Sequence, residues 1–77
     1  MVKLICAYPA YEVGCEDEDW VLRYSTFSSE GAALEAGAEK MGAYCKIVPE
    51  ESFEAERTTI LEKIRNGSFD PESEGWF

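Results

Sequence analysis

The chain has 77 residues, with 16 Asp and Glu against seven Lys and Arg, no histidine and a formal net charge of -9. Such a charge repels nucleic acid and anionic membrane surfaces, so neither is expected as a direct partner, and a basic protein surface is the natural counterpart. Hydrophobic residues at 45% are too many for intrinsic disorder, and the length fits one domain, 1–77, with a small core.

Val2 to Tyr8 reads as a strand with Val2, Leu4, Cys6 and Tyr8 on one face and Lys3, Ile5 and Ala7 on the other. Pro9 ends or bends it, Tyr11 to Gly14 offers an extension past a kink, and Glu16-Asp17-Glu18-Asp19 must form a solvated acidic turn. Trp20 to Phe27 alternates again and is expected to pair with the first strand as a hairpin. Ser28 or Ser29 then caps a helix running to about Met41, with Glu30 in its first turn and Gly42 as its stop. On a helical wheel Leu34, Gly37, Ala38 and Met41 share one face, with Ala32, Ala33, Ala36 and Lys40 roughly opposite. Gly31 and Gly37 each cost about 1 kcal/mol of helix propensity relative to alanine, which points to a close approach of another backbone.

Ala43 to Val48 reads as a third strand closed by Pro49. Ser52 is expected to cap a second helix, Phe53 to about Asn66, whose apolar stripe is Phe53, Ile60 and Ile64 with Leu61 beside it. Glu54 and Glu56 at its start and Lys63 and Arg65 at its end complement the helix dipole, and Asn66-Gly67 terminates it. The tail, 68–77, has no period; its Phe69, Trp76 and Phe77 are either pinned to the domain or displayed to a partner, and pinning better preserves solubility. These elements predict an α+β fold: a small, mainly antiparallel three-stranded sheet with two helices, in the order β-β-α-β-α, with both helices on one face.

Cys6, Cys15 and Cys45 are odd in number and lack Cys-x-x-Cys spacing, so neither a disulfide framework nor a zinc site is expected. With no histidine, no glycine-rich phosphate loop and no recognisable pair of catalytic carboxylates, the chain reads as a non-catalytic protein without cofactor or metal. Asp70-Pro71-Glu72-Ser73-Glu74-Gly75 imitates the opening of a calcium loop, but the bidentate glutamate at its twelfth position would fall beyond Phe77. The apolar start, Met1 to Ala7, is too short to span a membrane, and a soluble, cytoplasmic monomer is expected.

Once helix-start acids are set aside, three acidic clusters remain: Glu16 to Asp19, Glu50 with Glu51, and Asp70, Glu72 and Glu74. They serve either solubility or competition for a basic groove, with Trp20 and Trp76 beside the first and last clusters as anchors. In size, acidity and strand-strand-helix-strand order, with Glu16-Asp17-Glu18-Asp19 as its most suggestive segment, the chain resembles the small anti-CRISPR proteins of phages and mobile elements. The resemblance implies a stoichiometric inhibitor that binds a CRISPR effector complex and blocks its access to target DNA. The alternative is a small regulatory or assembly adaptor that binds through the Ala/Gly helix face or the aromatic tail.

Overall fold

The computed structural model describes residues 1–9, 20–40 and 42–77. Strands β1 (Val2–Pro9) and β2 (Trp20–Phe27) are followed by α1 (Glu30–Ala38), β3 (Tyr44–Pro49), a 3-10 turn at Glu50–Ser52 and α2 (Phe53–Asn66). This is the α+β class and the β-β-α-β-α order expected from the sequence. Both neighbours pair antiparallel with β1, giving the sheet order β2-β1-β3. β2 and β3 therefore run parallel to each other with β1 between them, and α1 carries the chain across it. The possible strand extension at Tyr11 to Gly14, the Glu16 to Asp19 turn, Cys15 and Met41 lie outside the described residues.

Register fixes the two faces, because directly opposed residues in antiparallel strands point the same way. Cys6 stands between Arg23 and Cys45, and Ile5 between Tyr24 and Lys46. One face gathers Leu4, Cys6 and Cys45 with Ala33 of α1; the other gathers Ile5, Ala7 and Val48 with Ile60 of α2 and Phe69 and Trp76 of the tail. The helices thus lie on opposite faces, not on one. The cause is in β1, where Leu4, Ile5, Cys6 and Ala7 are all buried: four consecutive apolar positions supply two to each face, and each pair needs cover.

Within α1 the inward side takes residues from both groups of the wheel. Ala33 and Gly37 are buried and Ala36 is half-buried, while Leu34 is 51% exposed. Small side chains let the helix axis approach the sheet, whereas Leu34 on that side would hold it away. The helix starts as expected: the Ala32 N–H donates to Ser29 Oγ at 3.2 Å. It ends at Ala38, before the expected Met41, and Gly42 adopts φ 78° in the turn leading to β3.

α2 begins differently from its sequence signal. Ser52 makes no capping hydrogen bond through its side chain; instead Pro49 directs the chain into the 3-10 turn, and the Phe53 N–H donates to the Glu50 carbonyl. The other end follows expectation. Gly67 takes φ 72°, the Ser68 N–H reaches the Lys63 carbonyl at 2.8 Å and the Gly67 N–H reaches Ile64 at 3.1 Å, the paired bonds of a Schellman stop.

The tail is pinned. Phe69, Pro71 and Trp76 are buried, and Phe69 meets Trp20 and Trp76 edge-on with ring centroids 5.1 and 5.2 Å away. Phe77 then exchanges both main-chain hydrogen bonds with Cys45, at 2.7 and 2.9 Å, along the outer edge of β3. Its ring lies over Gly37, where an added Cβ would come within 2.6 Å of it. Trp76 and Phe77 thus straddle the sheet edge, one on each face. The close approach that Gly37 permits is to this ring, with Cys45 Cβ behind it.

Candidate functional site

The carboxylates of the described chain fall into two groups that sequence spacing does not separate. Most of those on α2 and the tail are engaged, Glu62 and the Asp70 side chain excepted. Glu56 pairs with Lys46 at 3.0 Å, Glu54 with Arg57 at 3.3 Å and Glu74 with Lys63 at 2.9 Å. Tyr44 donates its hydroxyl hydrogen to Glu72 at 2.8 Å, and Glu74 also accepts from the Asp70 N–H at 3.4 Å. Each such contact is part-exposed and contributes up to about 1 kcal/mol, but together they fasten the tail turn to α2 and β3. Glu72 and Glu74 therefore have a structural explanation, whereas Asp70 takes part through its backbone and leaves its carboxylate exposed. Among the described residues no group of three Cys, Asp or Glu side chains is arranged to hold a metal ion.

The second group is free. Glu30 and Glu35 of α1, Glu39 at its C-terminal cap and Glu50 and Glu51 of the 3-10 turn are exposed and make no ion pair among the described residues, as is true of Glu62 and Asp70 elsewhere. On α1 the packing of Ala33 and Gly37 against the sheet turns Glu35, Glu39, Gly31, Ala38 and Leu34 outward. An exposed leucine between glutamates is the result. The 3-10 turn is held in place by the Glu50 N–H, which donates to the Met1 carbonyl at 3.3 Å.

Of the residues expected to bind a partner, Glu50 and Glu51 are displayed, Asp70 is exposed, and Glu72 and Glu74 are tied into the tail turn. Trp76 is no surface anchor: it is 8% exposed and packs on Phe69 beside Ile5 and Ala7. Trp20 is half-buried, with its ring edge-on to Tyr44 and Phe69. No family model, curated protein or solved structure matches the chain. Function must therefore be argued from the charges themselves.

Sequence reasoning missed Leu34, Glu35 and Glu39. The signal was present in α1, where Leu34 is the one large apolar side chain between Glu30 and Ala38 and the side through Ala33 and Gly37 offers only small residues. A helix that must lie close to a sheet uses its small face.

The basic residues are unevenly committed as well. Lys46, Arg57 and Lys63 are paired, and Lys3 donates to Thr26 Oγ1 at 2.7 Å while its ammonium lies 5.0 Å from the centre of the Phe53 ring. The ion pairs among the described residues thus fall on α2, β3 and the tail, and none on α1.

Proposed function

We propose that the protein is a non-catalytic, acidic binding module that occupies a basic, nucleic-acid-binding surface of another protein and so blocks target DNA. The observation that carries this reading is the distribution of unneutralised charge: Glu30, Glu35, Glu39, Glu50 and Glu51 are exposed and free of ion pairs among the described residues. Opposite charge on the partner steers encounter, and Leu34 supplies apolar area that can be desolvated within a charged rim. A CRISPR effector complex, the partner implied by the resemblance of the sequence, is the first such surface to try. The adaptor alternative has less to work with, because the Ala/Gly face of α1 is packed on the sheet and the tail aromatics Phe69 and Trp76 are in the core.

The test is a titration of the protein into a CRISPR effector complex in the presence of labelled target DNA. DNA binding should fall at about 50 mM salt and recover substantially by roughly 300 mM, where exposed charges are screened over a few ångströms. A variant carrying Glu35→Lys, Glu39→Lys, Glu50→Lys and Glu51→Lys should lose inhibition while unfolding like the parent. Inhibition unchanged by salt or by that variant removes the electrostatic mechanism.

A further inference from the structure

The fold holds a second chemical feature, remote from the free carboxylates. Cys6 of β1 and Cys45 of β3 are direct cross-strand partners, their sulfurs are 3.4 Å apart, and both side chains are buried. Phe77 determines which kind of pair they form. The N–H and C=O of Cys45 both point outward to Phe77, so neither faces β1, and Cys6 and Cys45 make a non-hydrogen-bonded pair. In such pairs the α-carbons sit about 4.5 Å apart and the side chains are at their closest, within the roughly 4.4–6.8 Å over which a disulfide bridges two α-carbons.

We propose that Cys6 and Cys45 form an oxidative modification site, closed by a peroxide or a small-molecule disulfide into one disulfide between β1 and β3, with Phe77 as its gate. With hydrogen peroxide, one thiolate sulfur attacks an oxygen and breaks the O–O bond, giving a sulfenic acid and, after proton uptake, water. The second thiol, losing its proton, displaces hydroxide from that sulfur as a second water, so two thiols and one peroxide become one disulfide and two waters. With a small disulfide, the first thiolate forms a mixed disulfide and expels one thiol, and the second expels the other.

Burial keeps the closed protein reduced. The Cys45 thiol is pushed up to about 12, first by burial and then by the hydrogen bond and charge of Cys6, with Lys40 opposing, so little thiolate is present near neutral pH. Release of the Phe77 bridge and ring uncovers the outer side of Cys45 and admits the oxidant.

The test uses the Cys15→Ser chain, because Cys6 and Cys15 lie in one tryptic peptide, 4–23, whereas Cys45 lies in 41–46. After hydrogen peroxide or oxidised glutathione, mass spectrometry should find these two peptides linked and the intact chain lighter by two hydrogens. The oxidised protein should melt about 10 °C or more higher, since the bridge closes a long loop. Phe77→Ala should speed linkage at least several-fold under conditions where both chains remain folded by circular dichroism. Failure to form the linked peptides in the folded chain, a melting temperature lowered by oxidation, or equal rates in the parent and Phe77→Ala chains would each overturn the proposal. Cys6→Ala and Cys45→Ala, which cannot close the bridge, should show no oxidative rise in melting temperature; a rise in either also overturns it.

Discussion

The two faces of the sheet solve the same problem with different materials. On the α1 face a thin core of Leu4, Cys6, Cys45 and Ala33 is sealed by bringing the helix close, which Ala33 and Gly37 allow. On the α2 face Ile5, Ala7 and Val48 are covered by a thick layer in which Ile60, Phe69 and Trp76 pack with Trp20, Tyr44 and Phe53. The thin face depends on fit, with Val2, Tyr8, Phe27 and Ile47 only half-buried against it; the thick face relies on aromatic area and is fastened by ion pairs and side-chain hydrogen bonds. The same division separates the charges. Cations on β3 and α2 pair with Glu54, Glu56 and Glu74, whereas the acids of α1 and the 3-10 turn are exposed and make no ion pair among the described residues.

The largest expected effect breaks the thick face. Trp76→Ala should cost about 3–5 kcal/mol in urea unfolding, which for so small a domain approaches complete loss of the folded state. Trp76→Phe should be far milder: the Trp76 Nε1 hydrogen is buried with no acceptor among the described residues, and removing it relieves an unmet cost of about 1–3 kcal/mol that offsets lost area. A Phe variant as damaging as the Ala variant would show that the indole nitrogen has a partner in solution.

On the thin face, Gly37→Leu should cost about 1–3 kcal/mol, because the side chain meets first the Phe77 ring and then Cys45 Cβ. Gly31 faces open space, so Gly31→Ala should stabilise by about 0.5–1 kcal/mol through helix propensity alone. Chemical unfolding of the two variants should therefore move in opposite directions; equal shifts would mean that α1 does not lie as close to the sheet as described.

Alkaline pH separates the faces in another way. The unfolded Cys45 thiol ionises near its ordinary 9.0, while in the folded chain it holds its proton to about 12. Between those values the folded state binds more protons, so the stability contributed is complete below about 9 and is lost as pH rises towards about 12. Urea midpoints measured from pH 8.5 upward should fall more steeply for the parent than for Cys45→Ala; parallel profiles would remove Cys45 from the alkaline limb.

Much of this architecture was legible because local signals and tertiary packing agree. Alternation in Val2 to Tyr8 and Trp20 to Phe27 placed each residue on the face it occupies, and the Phe53, Ile60, Ile64 stripe with Gly67 located α2. The failures are of one kind. The wheel grouped Leu34 with Gly37 and set Ala33 opposite without deciding which side packs, whereas the sheet selects Ala33 and Gly37, the side that permits close approach, and leaves Leu34 exposed. Ser52 carries a capping side chain, but Pro49 had already fixed the path into the helix through the 3-10 turn. Glu72 and Glu74 resembled part of a free cluster because their partners Tyr44 and Lys63 are distant in sequence.

Whether the tail belongs to the fold decides which surface is left for a partner, and amide hydrogen exchange tests this directly. The Cys45, Trp76 and Phe77 amides donate to Phe77, Pro71 and Cys45 carbonyls, respectively. They should be protected within about tenfold of the β1 amides, which keeps Trp76 in the core and out of the proposed partner surface. Exchange of Trp76 and Phe77 at the rate of an unstructured peptide would contradict the account and return the aromatic tail to the list of candidate docking elements.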